Sequence, residues 1–354
     1  MRNNSNNENL TLRPAPKVAV IIPYYNGADW VERAIISVLS QTVKADEFVI
    51  VNDGSTPDQR QALALLKDKY PFNIIDKENG GQGSARNTGV AATTSEYISL
   101  LDQDDFYLPN HIKDLVGALP EDDPRLGYVY ADLCEADGAG SIIHSNMLRQ
   151  QSGQHPKAGH ITTLLQNDMF VLPSASLINR TAFISVGGFD EQFMGYEDDD
   201  LFLRMFRAGF TNYFLNQPVT VWCMHTGSTS WSIKMSRSRF RYLKKLSSLY
   251  LNDDAKGMYY FRDCLMRRFG RSILLDSLKA GKSGSIHRAE LSKILNEYVA
   301  MAYVRPEISI SQKWRLKITA FILTRFSKSA LKLLSACIHL APKTRNLVGR
   351  ALLG

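Results

Sequence analysis

The chain has 354 residues, 44% of them hydrophobic, with 23 glycines and 13 prolines, a composition that supports a folded core and excludes a disordered or fibrous protein. Its formal net charge of +7 is unevenly distributed, because residues 1–230 carry 17 basic and 28 acidic side chains whereas residues 231–354 carry 25 and 7. We therefore expect an acidic front that can hold a cation and a basic rear that faces an anionic surface, either nucleic acid or lipid.

The N-terminal segment, residues 1–16, is rich in asparagine and lacks the basic start, apolar middle and small-residue cleavage site of a secretory signal. We expect it to be a disordered polar tail. The four cysteines are widely scattered, so the sequence indicates neither a disulfide framework nor a cysteine metal site. These features favour a cytoplasmic protein.

Short apolar runs and helical periodicity alternate between residues 17 and 119. Strands are predicted at residues 18–22, 48–52, 72–76 and 97–101, and helices at residues 30–40, 59–69 and 83–92. This alternation predicts a parallel sheet with helices on both faces. Three strands end in polar segments, at residues 23–26, 52–56 and 102–105. Ligands of open α/β sheets bind beyond the carboxyl ends of the strands, so we expect these segments to converge on one cleft.

The pattern continues less regularly after residue 120. Strands are predicted at residues 127–132, 141–143 and 174–179, a helix at 201–208, and one or two closing strands at 213–225. Beyond residue 231 the chain is strongly helical and basic.

Two motifs follow predicted strands in the first half. VIVNDGST, residues 49–56, places Asp53 at a strand end, where it is either part of an ordinary turn or a carboxylate that accepts a hydrogen bond from a nucleobase imide. NGGQGSARNTG, residues 79–89, puts closely spaced glycines before a helix that carries Arg86. Such glycines let backbone N–H groups approach a phosphate, although a lone glycine-rich loop is a weak signal.

The strongest motif is LLDQDDFYLP, residues 100–109, in which an apolar strand delivers Asp102, Asp104 and Asp105 together. Three crowded carboxylates repel one another unless a cation or solvent compensates. A solvated acidic turn is the plain alternative. The position at the ligand edge of the sheet favours a hard divalent ion such as Mg²⁺ or Mn²⁺.

Four consecutive acids, residues 197–200, stand just before a predicted helix. They are either helix N-terminal acids favoured by the dipole or a group in which one or two carboxylates face inward, where a general base could act. His225 ends an apolar strand, and it is either structural or a ligand of metal or phosphate.

In this order, the strings VAVIIPYYNGADWVERAIISVLSQT, VIVNDGST, NGGQGSARNTG, LLDQDDFYLP, GGFDE and GYEDDDLFLR resemble the family 2 glycosyltransferases with the GT-A fold. The resemblance covers residues 17–231. It implies an α/β class, a GT-A nucleotide-sugar-binding domain with a mainly parallel central sheet over residues 17–231, followed by a basic helical extension over residues 232–354.

The resemblance also implies roles for individual residues. Pro23, Tyr25 and Asp53 are expected to line the nucleoside pocket, and Arg86 to lie near the donor. Asp102 and Asp104 match the two acids of the DxD element, with Asp102 toward the ribose or metal and Asp104 toward the metal. Glu197 and Asp198 match the ED pair, with Asp198 as the catalytic base. His225 matches a histidine near the metal or phosphate, and Arg204 a supporting position.

The implied activity is inverting transfer of a sugar from a nucleoside-diphosphate donor to an acceptor hydroxyl, assisted by Mn²⁺ or Mg²⁺. UDP is the commonest nucleotide of the family, and the implied setting is bacterial surface polysaccharide or glycolipid assembly, with a glycan or lipid-linked glycan as acceptor. Three aspartates follow Glu197, so Asp199 or Asp200 could replace Asp198 as the base. The string QKWR in place of Gln-x-x-Arg-Trp favours a non-processive enzyme.

Residues 313–340 contain no acid, and their pattern predicts a cationic amphipathic helix. Its runs of apolar residues are too short for the helix to cross a bilayer. One side carries Lys317, Thr324, Arg325, Lys328, Lys332 and Ser335, and the other Leu316, Ile322, Leu323, Phe326, Leu333, Leu334 and Ile338. Such a helix either lies on an anionic membrane, which would make the protein peripheral on the inner membrane face, or packs on the catalytic domain.

Two other functions would need features that this sequence lacks. A sugar nucleotidyltransferase should carry a glycine-rich loop with Lys or Arg straight after the first strand, where this chain has PYYNGAD. A nucleic-acid-binding protein would use the basic rear, but that region has no recognisable motif, and no nucleic acid partner is expected.

Overall fold

A computed structural model describes residues 15–150, 155, 159–225 and 232–333. The strands are β1 Val18–Tyr24, β2 Glu47–Asp53, β3 Asn73–Lys77, β4 Tyr97–Leu100, β5 Phe106–Tyr107, β6 Leu126–Asp137, β7 Ile142–His144, β8 Ser176–Asn179 and β9 Thr211–Met224. The helices of the first two thirds are α1 Ala28–Leu39, α2 Pro57–Lys69, α3 Gln82–Ala91, α4 His111–Gly117, α5 Met147–Gln150, α6 Ile161–Gln166, α7 Arg180–Ser185 and α8 Glu197–Arg207. The polar tail predicted for residues 1–16 lies almost wholly outside the described residues.

The strands form one mixed sheet in the order β3-β2-β1-β4-β8-β6-β9-β5, with β7 paired to β6. The strands β3, β2, β1 and β4 are parallel, as predicted. Beyond them β8 is antiparallel to both of its neighbours, whereas β6 and β9 run parallel. The predicted α/β class is confirmed, with parallel pairing concentrated in the first half.

Burial explains why the first strands are so apolar. All seven residues of β1 are buried, because helices cover both faces of the parallel half. Alternate residues of β1 enter different cores: Val18, Val20 and Ile22 pack with α1, and Ala19 and Ile21 belong to the cluster on the other face. The sheet is therefore rigid where its carboxyl edge carries the polar segments.

The C-terminal region is helical, as predicted. It contains α9 Ile233–Leu249, a π-helical segment Phe261–Gly270, α10 Arg271–Ser283, α11 Arg288–Tyr303 and α12 Ile310–Arg325. Its apolar side chains join the same buried cluster as β1 and α3. The extension thus completes the core of one sheet face.

The helix predicted over residues 313–340 is wrong in its extent. α12 ends at Arg325, Phe326 has extended backbone, and Ser327 starts a new turn by accepting a hydrogen bond from the Ala330 amide at 3.2 Å. Leu323 is buried and Leu316 and Ile322 pack on the core, so the part of the predicted apolar side that lies in α12 faces the protein, whereas Phe326 and Leu333 beyond it are exposed. Residues 334–340 lie outside the described residues. Among the helices that the structure describes, none is long and apolar enough to span a bilayer.

Candidate active site

The polar segments at the strand ends converge, as predicted, on one cavity of about 760 Å³. Residues from the ends of β1, β2 and β4 line it together with the start of α8 and the end of β9. All nine of the predicted site residues border this cavity: Pro23, Tyr25, Asp53, Arg86, Asp102, Asp104, Glu197, Asp198 and His225. The structure therefore brings them together, and their individual contacts indicate what each could do.

Asp53 holds the glycine-rich loop. Its carboxylate accepts hydrogen bonds from the Gly80 amide at 2.9 Å, the Gly81 amide at 2.8 Å and Lys77 Nζ at 2.8 Å. Gly81 has a φ of 89°, in the left-handed region that favours glycine, which turns these amides inward. Most of the acceptor capacity of Asp53 is thus used inside the protein, and its contact with a nucleobase stays a prediction.

Arg86 links the two groups of acids that the sequence places far apart. Its side chain is 97% buried, and its guanidinium donates to Asp102 at 2.5 Å and to Glu197 at 3.3 Å. It also lies over the ring of Phe189, 5.2 Å from the ring centre. Arg86 borders the cavity, but both of its terminal nitrogens donate to protein carboxylates, and its place near the sugar donor stays a prediction.

We call Asp102, Asp104 and Asp105 the first acidic cluster. Asp102 accepts from Arg86 and from Gln82 Nε2 at 2.6 Å. Burial, together with the charge of Asp102, raises the pKa of Asp104. Burial followed by the neighbouring charges of Asp104 and Asp102 raises the pKa of Asp105 well above its usual range. Burial and mutual repulsion thus make the charged forms of Asp104 and Asp105 unfavourable, a strain that a bound cation would relieve.

Asp104 and His225 form the pair that could hold a metal. Nε2 of His225 lies 2.7 Å from Oδ2 of Asp104, and the imidazole stacks on Trp30 at 4.7 Å. Asp102 is not drawn into this pair, because Arg86 and Gln82 hold its carboxylate. The described residues contain no group of three or more His, Cys, Asp or Glu side chains that could hold a metal ion, and the metal set of Asp102, Asp104 and His225 stays a prediction.

We call residues 197–200 the second acidic cluster. These acids form the first turn of α8 rather than preceding the helix, so the sequence prediction placed the helix start too late. Tyr196, immediately before the helix, has a φ of 68°, and this sharp entry turns the first residues of α8 into the cavity. Carboxylates are favoured here because backbone amides at a helix N-terminus are unpaired.

Asp199 and Asp200 are engaged by side chains of the C-terminal extension. Asp199 pairs with Arg268 at 2.8 Å and accepts from the Tyr242 hydroxyl at 2.8 Å. Asp200 pairs with Lys245 at 2.6 Å, and also with Arg204 at 2.8 Å. Both carboxylates thus serve as anchors, which argues against either as the base.

Asp198 differs from its neighbours because, among the described residues, no cation lies within ion-pair distance of its carboxylate. The one hydrogen bond that this carboxylate accepts from the described residues comes from the Asp199 amide, at 2.8 Å. Burial, then the charges of Glu197 and Asp199, raises the pKa of Asp198 to about 8. A carboxyl group with such a pKa, on the wall of a cavity, has the properties of a general base.

Arg204 supports this arrangement from the other end of α8. Its guanidinium donates to the Val186 carbonyl at 2.5 Å and the Gly188 carbonyl at 2.6 Å, which fixes the GGFDE segment. The predicted supporting position thus acts on the loop that leads into the second acidic cluster.

The sequence profile described as Glycosyl transferase family 2 matches residues 19–187, which include the first acidic cluster and the glycine-rich loop. A second profile, described as the N-terminal domain of galactosyltransferase, matches residues 173–227, which include the second acidic cluster. The chain belongs to glycosyltransferase family 2.

Relatives agree with this assignment. An uncharacterized glycosyltransferase of Rickettsia prowazekii is 32% identical over 217 residues, which are 61% of this chain and 66% of that protein. Chondroitin synthase of Escherichia coli is 31% identical over 206 residues, 57% of this chain and 28% of that protein. The family 2 chain thus spans just under two thirds of the first relative and a smaller part of the second.

Solved structures show the same fold. The crystal structure of S. aureus TarS 1–349 in complex with UDP-GlcNAc matches with a TM-score of 0.61 and 15% identity, over 90% of this chain and 92% of that one. Mannosyltransferase PcManGT from Pyrobaculum calidifontis, in complex with GDP-Man and Mn²⁺, matches with a TM-score of 0.51 and 18% identity, over 88% of each chain. The predicted GT-A fold of this family 2 chain is confirmed.

The cavity has further wall residues that the sequence did not single out. Trp30 and Gln82 come from α1 and α3, and Lys234, Met235 and Arg239 from the first turns of α9. Arg239 Nε donates to the Tyr196 hydroxyl at 3.2 Å, and Met235 packs against Gly195. Trp30 and Gln82 lie inside the quoted motifs, although no role is predicted for them from the sequence. No local pattern marks Lys234, Met235 and Arg239, because they become part of the family 2 site only through the packing of the extension.

Proposed function

We propose that this chain is an inverting glycosyltransferase that moves one sugar from a nucleoside-diphosphate donor, with UDP as the nucleotide, to a hydroxyl of an acceptor. The observation that carries the proposal is the bridge formed by Arg86. One buried guanidinium joins Asp102 of the first acidic cluster to Glu197 of the second, on the wall of a single cavity. Donor-holding acids and a candidate base therefore share one space, as a direct displacement needs.

The donor is assigned to the sheet edge. Pro23, Tyr25 and Asp53 border the cavity at the ends of β1 and β2, and we assign the nucleoside to them. UDP-GlcNAc and GDP-Man are the ligands named for the two structural neighbours, which supports a nucleotide sugar as the donor class.

Asp198 is assigned as the base. In its ionised form it takes the proton of the acceptor hydroxyl while that oxygen attacks the anomeric carbon and the bond to the diphosphate breaks. Arg86 and Glu197 position this end of the cavity, since Glu197 also accepts from the Gly195 amide at 2.7 Å. The separate anchoring of Asp199 and Asp200 supports Asp198 over its neighbours.

Mn²⁺ or Mg²⁺ is the proposed cofactor. The residues fit such an ion, because a carboxylate and an imidazole are suitable ligands and the desolvated Asp104 carries charge that a cation would compensate. Asp104 and His225 would hold it, with Asp102 beside them toward the ribose. The ion would neutralise the charge that develops on the departing nucleoside diphosphate.

We assign the acceptor to a glycan or a lipid-linked glycan, and the setting to bacterial surface polysaccharide or glycolipid assembly in the cytoplasm. The match to chondroitin synthase supports a role in polysaccharide assembly.

The proposal is tested by thermal unfolding of the full chain with a panel of nucleotide sugars, each with Mn²⁺, Mg²⁺ or a chelator. A ligand that binds only the folded state raises the unfolding temperature. We expect a UDP-sugar to do so in the presence of metal, and slow metal-dependent release of UDP from that sugar. No stabilisation by any nucleotide sugar, in a chain that is folded, would refute the proposal.

A further inference from the structure

α12 presents large apolar side chains to solvent. Ile310, Trp314, Ile318 and Phe321 are 75%, 57%, 56% and 61% exposed. Their spacing of four, four and three residues places them on one stripe of the helix. Soluble proteins seldom expose apolar side chains in such a continuous row without a partner.

The opposite side of α12 is already occupied. Thr319, Ala320 and Leu323 are buried, and α12 packs on α10 and α11. The helix is therefore apolar on two opposite sides. Within the part of the chain that the structure describes, the outer stripe is exposed to solvent.

The charged side chains of α12 itself have a single sign. α12 contains Lys313, Arg315, Lys317 and Arg325 and no acid. Nζ of Lys317 lies 3.7 Å from the ring centre of Tyr303 and 5.7 Å from that of Trp314, so the cation and the aromatic rings form one surface. A cover for this surface has to be apolar at its centre and anionic at its edges.

We propose that this face of α12 lies in the headgroup region of an anionic lipid membrane, with the stripe directed toward the acyl chains. Membrane-surface helices combine an apolar face, cations attracted to anionic headgroups and aromatic rings at the boundary. The face is not the one expected from the sequence, because Leu316, Ile322 and Leu323 pack on the protein. The inference is independent of the proposed reaction, since membrane binding needs neither donor nor turnover.

The test is co-sedimentation of the full chain with phosphatidylcholine vesicles, with and without phosphatidylglycerol. The double variant Trp314→Ser/Phe321→Ser removes the stripe. The matched control is Leu251→Ser/Ile286→Ser, because these side chains are 72% and 91% exposed elsewhere on the extension. We expect binding only to the anionic vesicles, weakened by salt, reduced about tenfold or more by the stripe variant and unchanged in the control.

Three results would overturn the proposal. The stripe variant could bind vesicles as tightly as the parent chain while Lys313→Gln/Lys317→Gln binds more weakly. That result would mean that basic charge alone, without the apolar stripe, accounts for the binding. Light scattering could show a dimer that the stripe variant abolishes, with no vesicle binding by the parent chain. A chain that ends at residue 333 could lose vesicle binding although it folds, which would place the contact in the last segment. Unchanged unfolding temperatures confirm that each variant is folded.

Discussion

The two acidic clusters resemble each other in sequence, but their carboxylates have different partners in the folded protein. In the second cluster, Glu197, Asp199 and Asp200 each have a cationic partner, which leaves Asp198 as the single uncompensated carboxyl. In the first cluster, Arg86 forms an ion pair with Asp102, whereas the side chain next to the Asp104 carboxylate is the imidazole of His225. Burial raises the pKa of the third member, Asp105, well above its usual range.

The difference teaches how one protein obtains two functions from similar residues. Carboxylates that are paired inside the protein are fixed in place, which supports the proposal that Asp198 of the second cluster is the base. Carboxyl groups that crowd one another favour an external cation, which supports the proposal that the first cluster holds a metal and a diphosphate. The predictions below test this division, from the largest effect to the smallest.

Asp198→Asn should abolish the base without disturbing its surroundings. We expect kcat to fall about a hundredfold to ten-thousandfold, because a positioned general base contributes that much, while donor-induced stabilisation persists. The variant should unfold at the same or a higher temperature, since the amide removes the cost of holding a carboxyl whose pKa is raised to about 8. Full transfer by this variant would move the base to another residue.

Arg268→Met tests whether an ion pair with the C-terminal extension stabilises the second acidic cluster. It leaves the buried Asp199 carboxylate without its cation, and breaking such a pair costs about 3–5 kcal/mol in the free energy of unfolding. Chemical denaturation measures this. Arg262→Met, in the same segment, removes an exposed pair with Asp263 and should cost less than about 1 kcal/mol. Equal costs for the two variants would contradict the anchoring role of Arg268.

Asp104→Asn should separate the metal response from folding. At about a hundredfold excess over their Kd, metal and donor together should stabilise the parent chain by about 2.7 kcal/mol and the variant hardly at all. Asp105→Asn is the control, because a neutral amide replaces a buried carboxyl whose raised pKa favours the neutral form. Retention of the metal response by Asp104→Asn would remove Asp104 from the metal site.

The pH profile of kcat/KM should report the base. Because burial and the neighbouring acids raise the pKa of Asp198 to about 8, the ionised form is lost as the pH falls through that value. We expect kcat/KM to drop about tenfold per pH unit below it, so the value at pH 7 is about a tenth of the plateau. A plateau that extends down to pH 5 would exclude Asp198 as a base with this pKa.

The strands and the convergence of the polar segments were predictable, because apolar runs and their polar ends are local patterns. Eight of the nine site residues lie in five of the six ordered motifs, which carry the family resemblance, and the ninth, His225, ends an apolar strand. Other features depend on contacts between distant parts of the chain. The bridge by Arg86 and the pairs of Asp199 with Arg268 and of Asp200 with Lys245 form only when α8, α3 and the extension pack together, and no spacing in the sequence encodes them.

Ion pairs between residues on either side of residue 231 also limit where the chain can be cut or exchanged. The boundary between residues 17–231 and 232–354 separates two stretches of sequence, but Arg268, the cationic partner of Asp199, lies on the far side of it, and so does Lys245, one of the two cationic partners of Asp200. Cutting there would leave the buried Asp199 without its cation, remove one of the two from Asp200, and uncover one face of the core. Anyone who exchanges residues 17–231 between homologues therefore has to transplant Lys245 and Arg268 with them, or replace the aspartates by uncharged residues at the same time.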